Sequence, residues 1–116
     1  MVVAFSVQPT GEPSDPALVR ELGEGADAAS VHDAVAAAVA VVRASGLPAR
    51  TSSMFTEIEG EWDEVMAVVK DATAAAGRYG SRVSLVLKAD IRPGHDGELD
   101  GKIQRMEAAV ERLEGR

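Results

Sequence analysis

The sequence has no cysteine and few aromatic residues, and each shortage removes a class of function. Without cysteine among its 116 residues, the chain forms no disulfides and no thiolate zinc site, and it has no catalytic thiol. Aromatic residues make up only 3% of the chain, and the last strand lacks the stacking aromatics of RNA-recognition modules. A net charge of −7 opposes binding to phosphate backbones, which requires clustered Lys and Arg. We therefore expect no nucleic-acid partner.

Long hydrophobic runs are missing as well. A helix that spans a bilayer needs about 20 apolar residues, and no stretch of this sequence approaches that length. The opening segment MVVAFSV lacks the basic region and the cleavage site of a signal peptide, and it alternates as a strand does. We predict a single domain over residues 1–116, located in the cytoplasm and without a membrane partner.

The first third of the chain predicts a strand, a loop and a helix. Residues 2–8 alternate between apolar and polar positions, and Pro9 is expected to end the strand because proline cannot donate to a ladder. Residues 10–29 are acidic and rich in Gly and Pro, so we predict a surface loop insertion in which PALVREL makes at most a short helical turn. Ser30 is a good N-cap for the following helix. The predicted buried stripe of that helix consists of Val31, Val35, Val39 and Val42.

The remaining pattern completes an α+β fold. Two short strands are predicted within residues 49–60, then a helix whose buried stripe includes Trp62, a strand over residues 81–92, and a helix over residues 98–114. This order matches a ferredoxin-like βαββαβ antiparallel sheet with an additional C-terminal helix. Both main helices would cover one face of the sheet. The other face would expose Val2, Ala4 and Val86, so we expect a homo-oligomer.

Charged side chains give little sign of catalysis or of metal binding. The densest acidic run mostly precedes and opens the second helix, where carboxylates interact favourably with the helix dipole; its members are Glu57, Glu59, Glu61, Asp63 and Glu64. Glu59 is the exception, because at a strand end beside Gly60 it could face a crevice. His32 and His95 have no ligand spacing such as HExxH and are interpreted as surface residues. Two interpretations of Asp90 and Arg92 are equally good: the residues pair across the sheet, or they anchor a ligand. We predict no metal, no cofactor and no enzyme activity.

Several segments resemble the small thiamine-binding (YkoF-like) domain family. They are FSVQP at 5–9, SGL at 45–47, MFTEIEG at 54–60, DEV at 63–65, RVSLVLKADIR at 82–92 and KIQRME at 102–107. The resemblance covers nearly the whole chain apart from residues 10–29, and MxTxIEG followed by DEV is its most specific part. The sequence departs from the family pattern at Phe55, where we expect glycine.

The resemblance implies a non-catalytic protein that binds thiamine or its hydroxymethylpyrimidine part near a subunit interface and assembles as a dimer or a tetramer. The ligand-binding residues that it implies are Ser6, Met54, Phe55, Thr56 and Glu59. Hydroxyls and a carboxylate can satisfy the donors and acceptors of an aminopyrimidine, while a thioether and a phenyl ring can pack against its faces. The alternative is a regulatory or interaction domain that oligomerises through its sheet without a small ligand.

Overall fold

The computed structural model describes residues 1–13, 15–22 and 27–115 and shows a four-stranded sheet with four helices in those ranges. In chain order the elements are β1 (Val2–Thr10), α1 (Pro16–Leu22), α2 (Asp27–Ala44), β2 (Ala49–Thr51), β3 (Thr56–Glu59), α3 (Trp62–Gly77), β4 (Arg82–Asp90) and α4 (Glu98–Glu114). None of the described helices is long and apolar enough to cross a membrane.

The strands lie in the order β2-β3-β1-β4, and every neighbouring pair is antiparallel. β1 is therefore central, with β3 on one side and β4 on the other. Its pairing with β4 is continuous from Val2 opposite Asp90 to Thr10 opposite Arg82. Its pairing with β3 is short and stops where Phe5 faces Thr56. The predicted α+β, ferredoxin-like topology is confirmed.

The core lies between one face of the sheet and helices α2 and α3. Val3 and Phe5 from β1 and Ile58 from β3 are fully buried there, as strand alternation requires. The predicted valine stripe of α2 is confirmed at Val42, which is buried, but it is wrong for Val31 and Val35, which are exposed. The helix instead turns small side chains inward, and the buried residues of α2 are Ala34, Ala38 and Val42. Alanines let α2 approach the sheet and α3 closely. The helix therefore buries its alanine face although valine is the more hydrophobic residue.

The segment predicted as a loop contains a helix. β1 continues through Pro9 to Thr10, where it has a ladder partner on one side only, so a missing N–H is tolerated. α1 then occupies much of residues 10–29. Asp15 accepts a 2.9 Å hydrogen bond from the Ala17 N–H, and Pro16 takes the first helical position, which suits proline. The backbone of α2 begins before Ser30, whose side chain lies outside the described residues.

Helix α4 lies against the face of the sheet opposite α2 and α3. Its first turn contributes the buried residues Glu98 and Leu99, and Asp100 and Lys102 form ion pairs with Arg50 of β2 and Asp90 of β4. Beyond that point its apolar seam is exposed, at Met106, Val110 and Leu113. The radius of gyration is 17.1 Å, against about 13 Å for a compact chain of this length. The molecule is therefore elongated.

Candidate functional site

A cavity opens where β1 runs past the start of β3. The β1–β3 ladder stops at Phe5 opposite Thr56, so the next residues of β1 lack a strand neighbour on that side. The turn between β2 and β3 and one side of α2 enclose this space, which measures about 100 Å³. Its lining comes from residues 5–7, from Val35, Ala38 and Val39 of α2, and from residues 51–56.

Four of the five predicted site residues line this cavity. Ser6 enters it from β1, and Met54, Phe55 and Thr56 enter it from the turn and from the first position of β3. Ser6 and Thr56 lie on neighbouring strands but point to opposite faces of the sheet by alternation. Both residues line the cavity because it lies at the strand end, where the sheet no longer separates its two faces.

The turn before β3 is held by Ser52. Its Oγ accepts hydrogen bonds from the N–H groups of Met54 (3.4 Å) and Phe55 (3.2 Å) and lies 3.2 Å from the Phe55 carbonyl oxygen, to which it donates. The Ser52 N–H also donates to that carbonyl oxygen, at 2.8 Å. A serine side chain that binds the backbone of its own turn is a common device in tight connections. Here it fixes the backbone that carries Met54 and Phe55 to the cavity mouth.

The cavity is polar without being charged. Among the described residues that line it, none is Asp, Glu, Lys, Arg or His. Thr56 is only 8% exposed, and within the described ranges neither its hydroxyl nor that of Ser6 hydrogen-bonds to another protein group. Such hydroxyls can each donate one hydrogen bond and accept others. The site can therefore satisfy a neutral heteroaromatic ring, with Phe55, Met54 and the α2 valines supplying apolar contact.

Glu59, the fifth predicted residue, lies at the opposite end of β3 and does not line the cavity. Its carboxylate accepts hydrogen bonds from the backbone N–H groups of Glu98 (2.7 Å) and Leu99 (3.2 Å). It therefore caps α4 from another element, and its negative charge faces the positive end of that helix. The prediction that Glu59 contacts a ligand is untested, but in this structure it is not brought together with the other four.

Glu98 is a second buried carboxylate beside this cap. It pairs with Arg105 in the same helix, and His95 Nδ1 lies 3.8 Å from it. The hydrogen bond from Arg105 lowers the pKa of Glu98, and the positive charges of Arg105 and Arg92 act in the same direction. The carboxylate therefore stays ionised at neutral pH as part of the α4 attachment.

The interpretation of Trp62 as a core residue is wrong. It is the first residue of α3 and is 53% exposed, because the inward-facing positions of this helix begin at Val65. It borders an open cleft together with Ile91 and Arg92. Asp90 pairs with Lys102 rather than with Arg92. No group of three or more His, Asp or Glu side chains in the described ranges could hold a metal ion.

The sequence interpretation missed Val35, Val39 and Thr51 as cavity residues. The two valines were assigned to the core because their spacing of four residues is that of a buried stripe. The sequence feature that could have shown the valines to lie outside the core is a second stripe of apolar residues one position earlier, at Ala34 and Ala38. Thr51 lies opposite Thr56 in the β2–β3 register, so the pairing of those strands brings its side chain to the site.

Comparison with known proteins assigns this chain to a family. The family model described as thiamine-binding protein matches residues 22–107. The chain belongs to the thiamine-binding protein family. The matched residues include β3 and the turn between β2 and β3. They begin after Ser6, so the match does not include that cavity residue. A relative covers that residue as well: the UPF0045 protein Mb1933 of Mycobacterium bovis is 43% identical over 98% of each chain.

Two solved structures share the fold of this thiamine-binding family member. The hypothetical protein MJ1052 of Methanocaldococcus jannascii aligns with a TM-score of 0.70 at 24% identity, over 91% of this chain and 94% of that one. A domain of unknown function, DUF77, from Bacillus cereus aligns with a TM-score of 0.65 at 30% identity, over 88% and 85%. Both alignments extend over most of the sheet and helices described above.

Proposed function

We propose that this protein binds thiamine or its hydroxymethylpyrimidine part without catalysis, in the cavity at the start of β3, and that it acts in the cytoplasm as a homo-oligomer. The observation that carries the proposal is a cavity lined by Ser6 and Thr56, whose hydroxyls have no hydrogen-bond partner among the described residues, together with apolar side chains from β1, α2 and the turn before β3. Membership of the thiamine-binding family supports the ligand class.

The lining favours the pyrimidine ring over the thiazolium ring as the part that enters the cavity. An aminopyrimidine is neutral and offers an amino donor pair and ring acceptors, which hydroxyls can satisfy in both roles. A thiazolium ring carries a positive charge, and burying a charge without a partner is costly. Because no carboxylate lines the cavity, the charged ring belongs at its mouth, where Met54 is exposed.

The cavity residues also favour binding over catalysis. Its hydroxyls could act as nucleophiles only with a base to take their proton, and no His, Lys or carboxylate is among the residues that line it. Binding of a vitamin requires none of these groups.

The size of the cavity supports an oligomer. One chain provides about 100 Å³, whereas pockets for small molecules usually measure roughly 300–1,000 Å³. A ligand of this size would be only partly covered by a single chain. We infer that a second subunit completes the enclosure near the exposed side chains of Met54 and Phe55.

Calorimetric titration with thiamine and with hydroxymethylpyrimidine tests the proposal. Thr56→Val keeps the shape of the side chain and removes its hydrogen bonds, so we expect about tenfold weaker binding or more. Glu59→Gln, which alters a group outside the cavity, should leave the affinity unchanged. The absence of heat from folded wild-type protein at millimolar ligand would reject the proposal and favour the domain without a small ligand. Loss of binding in Glu59→Gln with full binding in Thr56→Val would place the site elsewhere.

A further inference from the structure

A second open space lies next to the cavity, where β2 meets β3. This groove measures about 210 Å³ and is lined by Arg50, Thr51, Ser52, Phe55 and Glu57. Three of these residues, Thr51, Ser52 and Phe55, also line the cavity. The two spaces therefore adjoin, and the turn before β3 forms the wall between them.

The groove differs from the cavity in its charge. Its two charged residues, Arg50 and Glu57, lie opposite each other in the β2–β3 register. Arg50 forms its ion pair with Asp100 of α4, which offsets its positive charge. The half-buried side chain of Glu57 has no hydrogen bond or ion pair to any described residue. The groove therefore presents one unpaired negative charge.

Phe55 gives the groove an aromatic wall. The residue is 37% exposed, so part of its ring is open to contact. Its backbone is fixed on both sides of the residue, because the N–H donates to Ser52 Oγ at 3.2 Å and the carbonyl oxygen accepts from the Ser52 N–H at 2.8 Å. An aromatic ring attracts a cation that lies against its face, and a nearby carboxylate favours the same positive charge. The groove is therefore suited to a flat organic cation.

We propose that the protein binds intact thiamine across both spaces, with the pyrimidine ring in the cavity and the thiazolium ring in the groove beside Glu57. This inference rests on the proposed function and names thiamine, rather than its hydroxymethylpyrimidine part, as the preferred ligand. A single methylene carbon joins the two rings of thiamine, so they can occupy adjoining spaces. Phe55 lies at the junction and contacts both rings.

The groove removes a cost that the cavity alone would impose on thiamine. Burying the positive ring among the uncharged residues of the cavity would leave its charge without a partner. In the groove the ring lies near the Glu57 carboxylate and stays in contact with water, which avoids the full cost of desolvating two charges. Hydroxymethylpyrimidine is neutral and gains nothing from this carboxylate. Glu57 therefore raises the affinity for thiamine without changing the affinity for its pyrimidine part.

Calorimetric titration with both ligands tests the inference. Glu57→Gln keeps the size of the side chain and removes its charge, so we expect thiamine to bind about three- to tenfold more weakly. Hydroxymethylpyrimidine should bind this variant as tightly as it binds the wild type. Added salt should weaken thiamine binding in the wild type, and by less in Glu57→Gln. Glu64→Gln is the matched control, since it removes the same charge from an exposed position of α3 outside both spaces, and it should bind both ligands normally.

The possible results separate this inference from the proposed function. If neither ligand binds the folded wild-type protein, the proposed function is rejected and the thiazolium site with it. If hydroxymethylpyrimidine binds, the proposed function stands, and the thiazolium site is overturned when thiamine fails to bind or binds Glu57→Gln as tightly as the wild type. Equal losses for both ligands in Glu57→Gln would assign Glu57 to the cavity instead. An equal loss of thiamine binding in Glu64→Gln would show a general effect of net charge and would also overturn the site.

Discussion

Replacement of Glu59 by alanine should release helix α4 from the sheet while the rest of the fold stays intact. The Glu59 carboxylate, 7% exposed, accepts two hydrogen bonds from the first turn of α4. Loss of a helix cap costs about 0.5–2 kcal/mol, and loss of a partly buried charge at a helix N-terminus costs up to about 2 kcal/mol. We therefore expect the attachment of α4 to weaken by about 2–3 kcal/mol.

Few other contacts hold α4 to the sheet. Burial of Leu99 contributes about 1.5–3 kcal/mol, and the exposed pairs Arg50–Asp100 and Lys102–Asp90 contribute at most about 1 kcal/mol each. A helix of 17 residues is marginal in water when it is detached. The variant should therefore populate a form in which α4 is undocked and frayed.

Hydrogen exchange measured by mass spectrometry is the suitable assay, because it reports α4 separately from the core. A loss of 2 kcal/mol corresponds to about 30-fold faster exchange at the α4 amides, with little change in β1. Glu59→Gln retains one carbonyl acceptor and should show a smaller increase. Glu57→Gln removes a charge from the same strand without touching α4 and serves as the control. Unchanged α4 protection in Glu59→Ala would refute the role of the carboxylate as a cap.

Two further predictions concern the core and the first helix. Ala34→Leu should destabilise the protein by about 1–3 kcal/mol in urea unfolding, because Ala34 is fully buried in the core and lies outside the cavity lining; an equal effect of Ala36→Leu on the exposed side of the helix would contradict this. The pKa of Asp15 is lowered from 3.8, chiefly by the hydrogen bond from Arg78, which lies 2.7 Å away. Since the folded-state pKa is the lower one, this pair stabilises the fold above the ordinary pKa of Asp15, and the effect disappears as the pH falls through the lowered value. NMR titration of the Asp15 carboxyl should show a midpoint below 3.8 that rises in Arg78→Gln; an unmoved midpoint would exclude Arg78 as the cause.

The sequence predicted those parts of the fold in which one periodic signal stands alone. The strand predicted over residues 81–92 is confirmed as β4, whose residues Val83, Leu87 and Ala89 pack on the helix side of the sheet. In α2 two apolar stripes compete, and the choice between valine and alanine depends on how closely neighbouring elements approach. That distance is a property of the assembled layers and cannot be obtained from the helix alone.

The site was predictable from its family motif and only partly from strand geometry. Strand alternation places Ser6 and Thr56 on opposite faces of the sheet. Both line one cavity because the β1–β3 ladder stops at Phe5 opposite Thr56 and leaves the next residues of β1 without a neighbour on that side. Glu59 was grouped with them because it shares their motif. Its actual contact is with a helix that begins about forty residues later in the chain, and no local pattern specifies such a pairing.

The central position of β1 constrains how the chain can fold during synthesis. β1 is the first strand to be made, yet its partners are β3 and β4, and its first residue pairs with the last residue of β4. On the ribosome, one edge of β1 stays open until β3 has emerged and the other until β4 has emerged, and pairings so distant in sequence form slowly. A nascent chain stopped before β4 would keep the whole β4 side of β1 as an unpaired strand edge, which is prone to aggregation. Rare codons or stalling between α3 and β4 should therefore lower soluble yield more than the same delay after β4.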